Sequence, residues 1–315
     1  MTKNKPLVGV SGCVVGQQVR FDSGHKRSSF VDDTLRDLVQ LMPICPEIGI
    51  GLGTPRPSIR LREINQQIRL MDDRNHLDHT DQMQRFTTKM LPEFAQYSGF
   101  IVCAKSPSCG MERVKVLQED ALGANYNGRG LFTAALMLRY PLLPVEENGR
   151  LNDPYLRENF VMRVLLYQQA QQLFAEPSTA SLQQFHQQHK LLLLAHNEPL
   201  YRQLGPLISA TDFANITTKI NAYLTLFMAA LAKPASRKGH TNALQHIQGY
   251  FKSDLDTQER QHLHQAIMAY HSGQLPLMAP ISIIDHILTK HPKPYITQQS
   301  YLHPTPEQLA LRCHL

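Results

Sequence analysis

Three cysteines in the first half of the chain each lie at or just beyond the end of a short apolar run. The cysteines are Cys13, Cys45 and Cys109, and the runs are residues 7–12, 41–44 and 100–104. Runs of this length between helix-like segments are typical of buried parallel strands. Ligands of an open parallel sheet bind in the crevice beyond the carboxyl ends of its strands. The pattern therefore predicts three thiols in one crevice, which is the candidate functional centre.

The segments between these runs carry helical periodicity, so strands and helices are expected to alternate in the first half. Strands are predicted at residues 7–12, 41–44, 99–104 and 142–147. Helices are predicted at residues 28–41, at 81–97 with a kink at Pro92, and from residue 128. This alternation predicts an α/β doubly wound parallel sheet.

Strand patterns largely disappear after the turn signals of residues 146–154. Helical patterns then cover residues 155–174, 181–194, 211–231, 244–251, 257–272 and 281–290. The tail after Pro292 is predicted to be extended, with a short helix from Pro306. We therefore expect an α/β domain over residues 1–150 and an all-α domain over residues 151–315.

Length and composition favour a two-domain cytoplasmic protein. The chain has 315 residues, which is long for one core. No apolar run approaches the roughly 18–20 residues that a bilayer span needs, so no membrane association is expected. The five cysteines are few and odd in number, which argues against a secreted disulfide framework.

The net charge of +6 favours polyanionic partners, although many enzymes are mildly basic without binding nucleic acid. One basic cluster, in the segment 233–242, contains Lys233, Arg237, Lys238 and His240 without an intervening acid. It is either a solvated turn or a phosphate-binding loop at a helix N-terminus. His189 and His196 share a helix face, but no carboxylate completes a metal set, so we expect core or surface histidines.

The cysteine spacing alone leaves two interpretations open, a metal or cluster site and buried structural thiols. Cys103 fits a structural thiol best because it lies within a predicted strand, and Cys313 near the C-terminus is interpreted as incidental. The other three cysteines have turn formers and polar neighbours, which favours chemistry. Those neighbours are Ser11, Glu47, Ser106 and Ser108.

The segment 49–57 is rich in glycine and proline, but its spacing is not a dinucleotide-binding fingerprint. It is followed by Arg60 and Arg62. The segment is either a surface turn with solvated arginines or a site where Arg56, Arg60 and Arg62 hold an anionic substrate.

Four separated motifs resemble those of the thiouracil desulfurase (TudS) family, over about residues 5–150. They are SGCVVG at 11–16, CPE at 45–47, GLGTPR at 51–56 and KSPSCG at 105–110. The resemblance implies a [4Fe-4S] cluster held by Cys13, Cys45 and Cys109, with one iron not ligated by protein. It also implies a catalytic acid/base at Glu47 and a catalytic serine at Ser106, with Ser108 as the alternative. Substrate contacts are expected from Ser11, Arg56, Arg60 and Ser108.

The chemistry implied by this resemblance is non-redox. The thiocarbonyl sulfur of a thiolated pyrimidine binds the open iron, which polarises the carbon–sulfur bond. Water activated by Glu47 attacks the carbon, and the sulfur is released as sulfide.

The second half resembles the YbgA-like helical domain over about residues 155–290. The motifs are HKLLLLAH at 189–196, YRQLG at 201–205, KGHTN at 238–242 and GYFK at 249–252. Fusion of the two domains implies a RudS-type tRNA thiouridine desulfidase, acting on 4-thiouridine in tRNA. The basic helical domain is then expected to hold the RNA, with Lys233, Arg237, Lys238 and His240 as candidate contacts.

Three alternatives stay open. The first is a desulfurase of free thiouracil or a similar small thioamide, in which the helical domain serves dimerisation. The second is a non-enzymatic iron–sulfur module that binds RNA or senses redox state. The third is a zinc protein.

Overall fold

The computed structural model describes residues 5–118, 123–211, 213–306 and 311–312. The chain divides into two compact units, Met1–Asp153 and Pro154–Leu315. The first is an α/β unit with a parallel sheet, and the described part of the second is helical, so both predicted fold classes are confirmed. Most of the short helix predicted from Pro306, and all of Cys313, lie outside the described residues.

Eight strands are described in the first unit. They are β1 (Leu7–Ser11), β2 (Gln40–Ile44), β3 (Ile59–Ile64), β4 (Gln67–Asp72), β5 (Gly99–Val102), β6 (Val114–Leu117), β7 (Ala124–Gly128) and β8 (Val145–Glu147). Three helices of the unit are α1 (Pro46–Gly49), α2 (Thr80–Met90) and α3 (Leu131–Arg139). The helix predicted over residues 81–97 is α-helical only as far as Met90, and a 3-10 helix, Leu91–Gln96, follows at the predicted kink of Pro92.

The first sheet contains the four predicted strands, in the order β2-β1-β5-β8, and every pair is parallel. Val10 of β1 lies opposite Pro43 on one side and Ile101 on the other. Such all-apolar runs are buried on both faces, and Val8, Val10 and Ile101 have no exposed surface. The strand order reverses at β1, which places the ligand crevice beyond the carboxyl ends of β1 and its neighbours.

A second sheet, in the order β4-β3-β6-β7, was not predicted. Its β3–β4 pair is an antiparallel hairpin whose turn residues, Asn65 and Gln66, both have positive φ. In β3 the apolar residues Ile59 and Leu61 are buried, and they alternate with arginines that face outward. A period of two is typical of a strand with one buried face. In β3 the alternate residues are arginines, and the segment was therefore interpreted as a loop with arginines.

The helix predicted over residues 28–41 is wrong. The segment forms a π-helical turn, Phe30–Thr34, and a 3-10 turn, Leu35–Asp37, before β2 begins at Gln40. Gln40 pairs with Leu7 of β1, and its N–H donates to the carbonyl of Pro6 at 2.9 Å. Residues from Gln40 onward therefore pair with β1 and cannot form the last turn of a longer helix.

The second unit contains eight described helices. They are α4 (Pro154–Ala175), α5 (Thr179–His196), α6 (Glu198–Ser209), α7 (Ile216–Ala230), α8 (Arg237–Tyr250), α9 (Thr257–His271), α10 (Met278–Lys290) and α11 (Pro294–Thr297). Phe185, Tyr223 and Phe227 form part of the core. No described helix is long and apolar enough to cross a membrane.

Polar caps explain where the predicted helix boundaries are wrong. Asn197 caps α6, which was not predicted, by accepting the N–H of Leu200 at 3.1 Å. Ser236 caps α8 by accepting the N–H of Gly239 at 3.0 Å, so that helix begins seven residues before the predicted 244. Such caps stabilise a helix by about 0.5–2 kcal/mol. Residues 294–297 are also helical, where an extended tail was predicted, because Pro294 occupies a first helical position that favours proline.

Candidate functional site

A cavity of about 280 Å³ lies at the carboxyl ends of β1, β2 and β5. All four described cysteines line it: Cys13, Cys45, Cys103 and Cys109. Ser11, Glu47, Arg56 and Ser106 also line it. The structure thus brings the three predicted thiols together with four of the predicted polar residues.

Local turns fix the direction of three of these thiols. Cys13 lies in a 3-10 turn, Gly12–Val15, that ends at Gly16 with a φ of 84°. Cys45 is the N-cap of α1, where Pro46 occupies the first helical position. Cys109 is held by Thr133, whose hydroxyl donates to the Cys109 carbonyl at 2.6 Å. The residues that follow or contact each cysteine therefore fix the backbone conformation at that cysteine.

The predicted placement of Cys103 within a strand is wrong, whereas its interpretation as a structural thiol stays a prediction. Strand β5 ends at Val102, so Cys103 is the first residue beyond it, and it lines the same cavity as the other cysteines. Its thiol also interacts with the side chain of Cys13. The available signal was its place at the carboxyl end of a strand next to β1, where side chains face the crevice.

The protein environment disfavours ionisation of three of the four thiols in the absence of a metal. A hydrogen bond with Cys103, together with burial, raises the pKa of Cys13. Burial raises the pKa of Cys45 and that of Cys109. The hydrogen bond with Cys13 lowers the pKa of Cys103. A bound metal would have to displace thiol protons, as metal binding by cysteine generally does.

The donor set suits a group larger than one metal ion. Among the described residues, no three His, Cys, Asp or Glu side chains are close enough together to hold a single ion. A lone zinc needs sulfur ligands that all lie about 2.3 Å from it. Iron–sulfur clusters instead take each cysteine on a different iron, so their ligands stand farther apart. Three buried thiols and one half-buried thiol around one cavity therefore fit a cluster better than they fit zinc.

Glu47 lies between two fixed partners. One carboxylate oxygen, Oε1, accepts from Ser108 Oγ at 2.9 Å, and the other, Oε2, pairs with Arg56 Nη2. Arg56 is itself buried and donates to the carbonyls of Gly53 at 2.8 Å and Val19 at 2.9 Å. The carboxylate is therefore held in one orientation on the wall of the thiol cavity, where it can accept or return a proton.

The two candidate serines have different environments. Ser106 lines the cavity, and its hydroxyl accepts the N–H groups of Ser108 at 3.3 Å and Cys109 at 3.1 Å. Ser108 has no exposed surface and contacts Glu47 instead. Within the described residues the Ser106 hydroxyl only accepts, so its proton can donate to a substrate. Ser106 stays the predicted catalytic serine, and Ser108 positions Glu47.

Two of the predicted substrate contacts have other roles. Ser11 Oγ accepts the N–H of Cys103 at 3.0 Å and so joins the ends of β1 and β5. Arg60 does not line the cavity; it is half-exposed on β3 and pairs with Asp73. The strand of Arg60 belongs to the second sheet, which turns alternate residues away from the core, so its role as a substrate contact stays a prediction without support from the cavity.

The four basic residues predicted to contact RNA have different side-chain contacts. Arg237 lies over the Tyr270 ring, 5.0 Å from its centroid, and donates to the Tyr270 carbonyl at 2.6 Å. His240 Nδ1 is 3.2 Å from Tyr301 Oη. Lys238 is exposed and lines a separate groove of about 670 Å³, and Lys233 is exposed. Lys238 and Lys233 thus remain candidate RNA contacts, whereas Arg237 and His240 pack against tyrosines.

His186 and His189 of α5 are buried, which for His189 agrees with one of the two predicted interpretations, whereas His196 is half-buried. Burial lowers the pKa of His189 to about 3 and that of His186 to about 4. His189 Nδ1 lies 2.7 Å from Ser300 Oγ, and His186 Nδ1 lies 3.1 Å from Tyr223 Oη. Both rings are therefore neutral near pH 7.

The fold and the site together define an α/β protein with a thiol-lined crevice at a strand switch point, followed by an all-α unit. The chain belongs to the YbgA family: "Uncharacterized protein YbgA" of Escherichia coli (strain K12) is 36% identical over 133 residues, which are 42% of this chain and 79% of that relative. A model for a protein of unknown function, DUF1722, matches residues 190–306.

The first unit is homologous to enzymes, because the family model of 2-thiouracil desulfurase matches residues 8–148. That range contains the whole thiol cavity. A solved structure of a [4Fe-4S]-dependent thiouracil desulfidase, TudS, is 29% identical to this chain. The match covers 48% of this chain and 95% of that chain, with a TM-score of 0.38.

Proposed function

We propose that this protein is an iron–sulfur-dependent desulfidase that converts 4-thiouridine in tRNA to uridine and releases sulfide. The observation that carries the proposal is the fixed carboxylate of Glu47 on the wall of a cavity that four cysteines line. The match of residues 8–148 to 2-thiouracil desulfurase supports the reaction type. The choice of tRNA as substrate rests on the helical unit and its charge.

Cys13, Cys45 and Cys109 would hold a [4Fe-4S] cluster and leave one iron without a protein ligand. A cluster bound in this way supplies a soft Lewis acid for the thiocarbonyl sulfur of the substrate. The three cysteines fit this role because each follows a strand or turn that aims it at one cavity. Cys103 contacts Cys13 and adds a fourth thiol beside the ligand set.

Residues of the chain then transfer the protons that the hydrolysis of the carbon–sulfur bond requires. A carbon–oxygen bond forms from water and the carbon–sulfur bond breaks, so no electrons are exchanged with an external carrier. Glu47 removes a proton from the attacking water and delivers protons to the departing sulfur, which leaves as sulfide. Arg56 and Ser108 hold the carboxylate in place for both transfers. Ser106 donates a hydrogen bond to the thiolated ring.

The helical unit would bind the RNA around Lys238. This lysine lines the groove beside the first turns of α6 and α8, together with Asn197, Asn242 and Gln245. Backbone N–H groups at helix N-termini favour phosphate, and a lysine adds a full positive charge. The chain's net charge of +6 favours a polyanionic substrate in general.

A second candidate is desulfuration of free 2-thiouracil or a similar small thioamide. The description of the matching family favours it, since that description names the free base. The two candidates share the cavity and the role of Glu47. They differ in the ring carbon that carries the sulfur, C2 in 2-thiouracil and C4 in 4-thiouridine, and in what is attached to the ring.

The test is a single-turnover comparison of the two substrates. The protein is loaded with cluster under anaerobic conditions and mixed with one equivalent of thiolated tRNA or of 2-thiouracil. Digestion of the tRNA to nucleosides quantifies 4-thiouridine and uridine, and sulfide is measured in parallel. We expect stoichiometric conversion of 4-thiouridine that depends on the cluster. Conversion of 2-thiouracil alone would select the second candidate, and conversion of neither would reject both.

A further inference from the structure

We propose that Cys13 and Cys103 are a site of reversible oxidation, which closes to a disulfide when the cluster is absent and a small disulfide oxidant is present. The disulfide would remove one cluster ligand until a thiol reduces it again. This inference rests on the proposed function, because that function makes Cys13 a cluster ligand. It assigns a role to Cys103, which the proposed desulfuration does not use.

The fold places the two cysteines side by side. Cys13 lies two residues beyond β1 and Cys103 one residue beyond β5, and these strands are parallel neighbours with Val10 opposite Ile101. Neighbouring strands are about 4.8 Å apart. The α-carbons of a disulfide are usually about 4.4–6.8 Å apart. The ends of adjacent strands therefore bring the two cysteines close to each other, which is the first requirement of a disulfide.

A hydrogen bond keeps the two strand ends in register. The N–H of Cys103 donates to Ser11 Oγ at 3.0 Å, and Ser11 is only two residues before Cys13. The two side chains contact each other as well. Cys103 is hydrogen-bonded to Ser11, and Ser11 is two residues before Cys13. The two backbone segments therefore stay together even when no metal is bound to the cysteines.

The other two thiols have different side-chain or backbone partners. Cys45 Sγ lies 3.9 Å from the carbonyl oxygen of Val19. The Cys109 side chain interacts with Ser11. Cys13 and Cys103 are therefore the pair that the described contacts select.

The cavity gives an oxidant a route to the pair. Arg20 and Lys26 line it together with Cys13 and Cys103. Positive side chains attract an anionic disulfide such as glutathione disulfide. A bound cluster would block this reaction, because the sulfur of Cys13 would then be bonded to iron.

The reaction balances with that oxidant. One protein thiolate attacks glutathione disulfide, forms a mixed disulfide and releases one glutathione thiol. The second protein thiol displaces the other glutathione and closes the Cys13–Cys103 bond. The two cysteines lose two protons and two electrons, and the oxidant is reduced to two thiols. Excess glutathione or another thiol runs the same exchange in reverse.

The test starts from the full chain after anaerobic removal of iron with a chelator. The protein is treated with glutathione disulfide, free thiols are alkylated, and the digest is mapped by mass spectrometry. We expect a linked pair of peptides that contain Cys13 and Cys103, and a fall in free thiols from five to three. We also expect the oxidised protein to take up iron and sulfide only after a thiol reductant is added.

Two variants make the outcome specific. Cys103→Ser should form no disulfide within the chain, because the thiol that closes the bond is absent, and its Cys13 should be found either free or linked to glutathione. Cys313→Ser, the matched control, should behave like the wild type. Cys103→Ala repeats the test if the serine variant does not fold. Absence of the Cys13–Cys103 peptide pair in the wild type, or a disulfide between Cys13 and another cysteine of the chain, would overturn the inference.

The readouts also separate this inference from the proposed function. If the fully reduced wild type takes up iron but never forms the Cys13–Cys103 disulfide, the oxidation site is rejected and the cluster site stands. If the reduced wild type takes up no iron, the cluster assignment fails, and with it the proposed consequence of the disulfide.

Discussion

Ser108 donates its hydroxyl hydrogen bond to Glu47 across 61 residues of sequence, with an Oγ–Oε1 distance of 2.9 Å. The contact joins the loop that carries Cys109 to the short helix that follows Cys45. Both thiols and the carboxylate between them are therefore held by one buried side-chain contact. Geometry of this kind is what lets a carboxylate act on a bound substrate without first reorganising.

Replacement of Ser108 tests this positioning. We expect Ser108→Ala to retain iron and to lower the rate of sulfide release about tenfold to a hundredfold, since a hydrogen bond to a charged group contributes roughly 1.5–3 kcal/mol. Single-turnover sulfide release measures the effect. Ser29→Ala, an exposed serine of the same unit, should match the wild type. An unchanged rate in Ser108→Ala would contradict the positioning role.

Removal of the Glu47 charge tests the acid/base role. Glu47→Gln keeps the size of the side chain but cannot take a proton from water, so we expect sulfide release to fall by roughly 10²–10⁴-fold. Iron content and the visible spectrum should stay as in the wild type, because Glu47 is not among the proposed cluster ligands. Glu93→Gln, at an exposed position, is the control. Full activity in Glu47→Gln would remove Glu47 from the mechanism.

Sequence patterns were sufficient to predict those strands that consist mainly of apolar residues in a buried sheet. The strands β1 and β5 were predicted because their apolar runs are almost wholly buried. Short apolar runs also predicted β2 and β8, although β2 is partly exposed and β8 contains two glutamates. The position of the thiols in one crevice was predicted because each cysteine follows a strand, and ligands of an open parallel sheet bind beyond the carboxyl ends of its strands. The hairpin of β3 and β4 was missed because its strands have only six residues each and contain several polar or charged residues.

The details of the site depend on tertiary contacts that no local pattern contains. Arg56 and Glu47 could be proposed separately from their motifs, but their ion pair is set by the fold. Cys103 was assigned to a strand interior because the boundary of β5 was placed two residues too late. Arg237 and His240 were grouped with Lys238 by sequence proximity, although successive helical residues face different directions.

Lys238 is expected to contribute a phosphate contact. Lys238→Gln should weaken binding of tRNA, and it should reduce the slope of log K against log salt concentration by about one. Affinity measurements between roughly 50 and 200 mM salt provide the slope. Lys290→Gln is the control, because Lys290 lies 3.8 Å from the Glu259 carboxylate, which offsets its charge. An unchanged slope in Lys238→Gln would place the RNA elsewhere.

The buried histidines make the helical unit sensitive to acid. The pKa of His186 is lowered to about 4 in the folded chain, against about 6.5 when unfolded. As the pH falls from 6.5 towards 4, the unfolded chain takes up a proton that the folded chain does not, so the free energy of unfolding decreases. At pH 5.5 this amounts to about 1.4 kcal/mol for His186.

Urea unfolding followed by far-ultraviolet circular dichroism, at pH 7.5 and 5.5, measures this loss. His186→Gln should reduce the difference between the two pH values by about 1.4 kcal/mol. His264→Gln, at an exposed position of α9, should leave it unchanged. If the free energy of unfolding of His186→Gln falls between pH 7.5 and 5.5 by as much as that of the wild type, His186 is not the group responsible.

The central claim is that water supplies the oxygen that replaces sulfur, with Glu47 as the proton acceptor. The most direct measurement is a single turnover of cluster-loaded protein with 4-thiouridine-containing tRNA in ¹⁸O-labelled water, followed by mass spectrometry of the nucleosides. We predict that the new uridine carries one ¹⁸O atom at the former thiocarbonyl carbon and that sulfide appears in equal amount. Uridine without label, or labelled uridine formed equally fast by Glu47→Gln, would contradict the proposed mechanism.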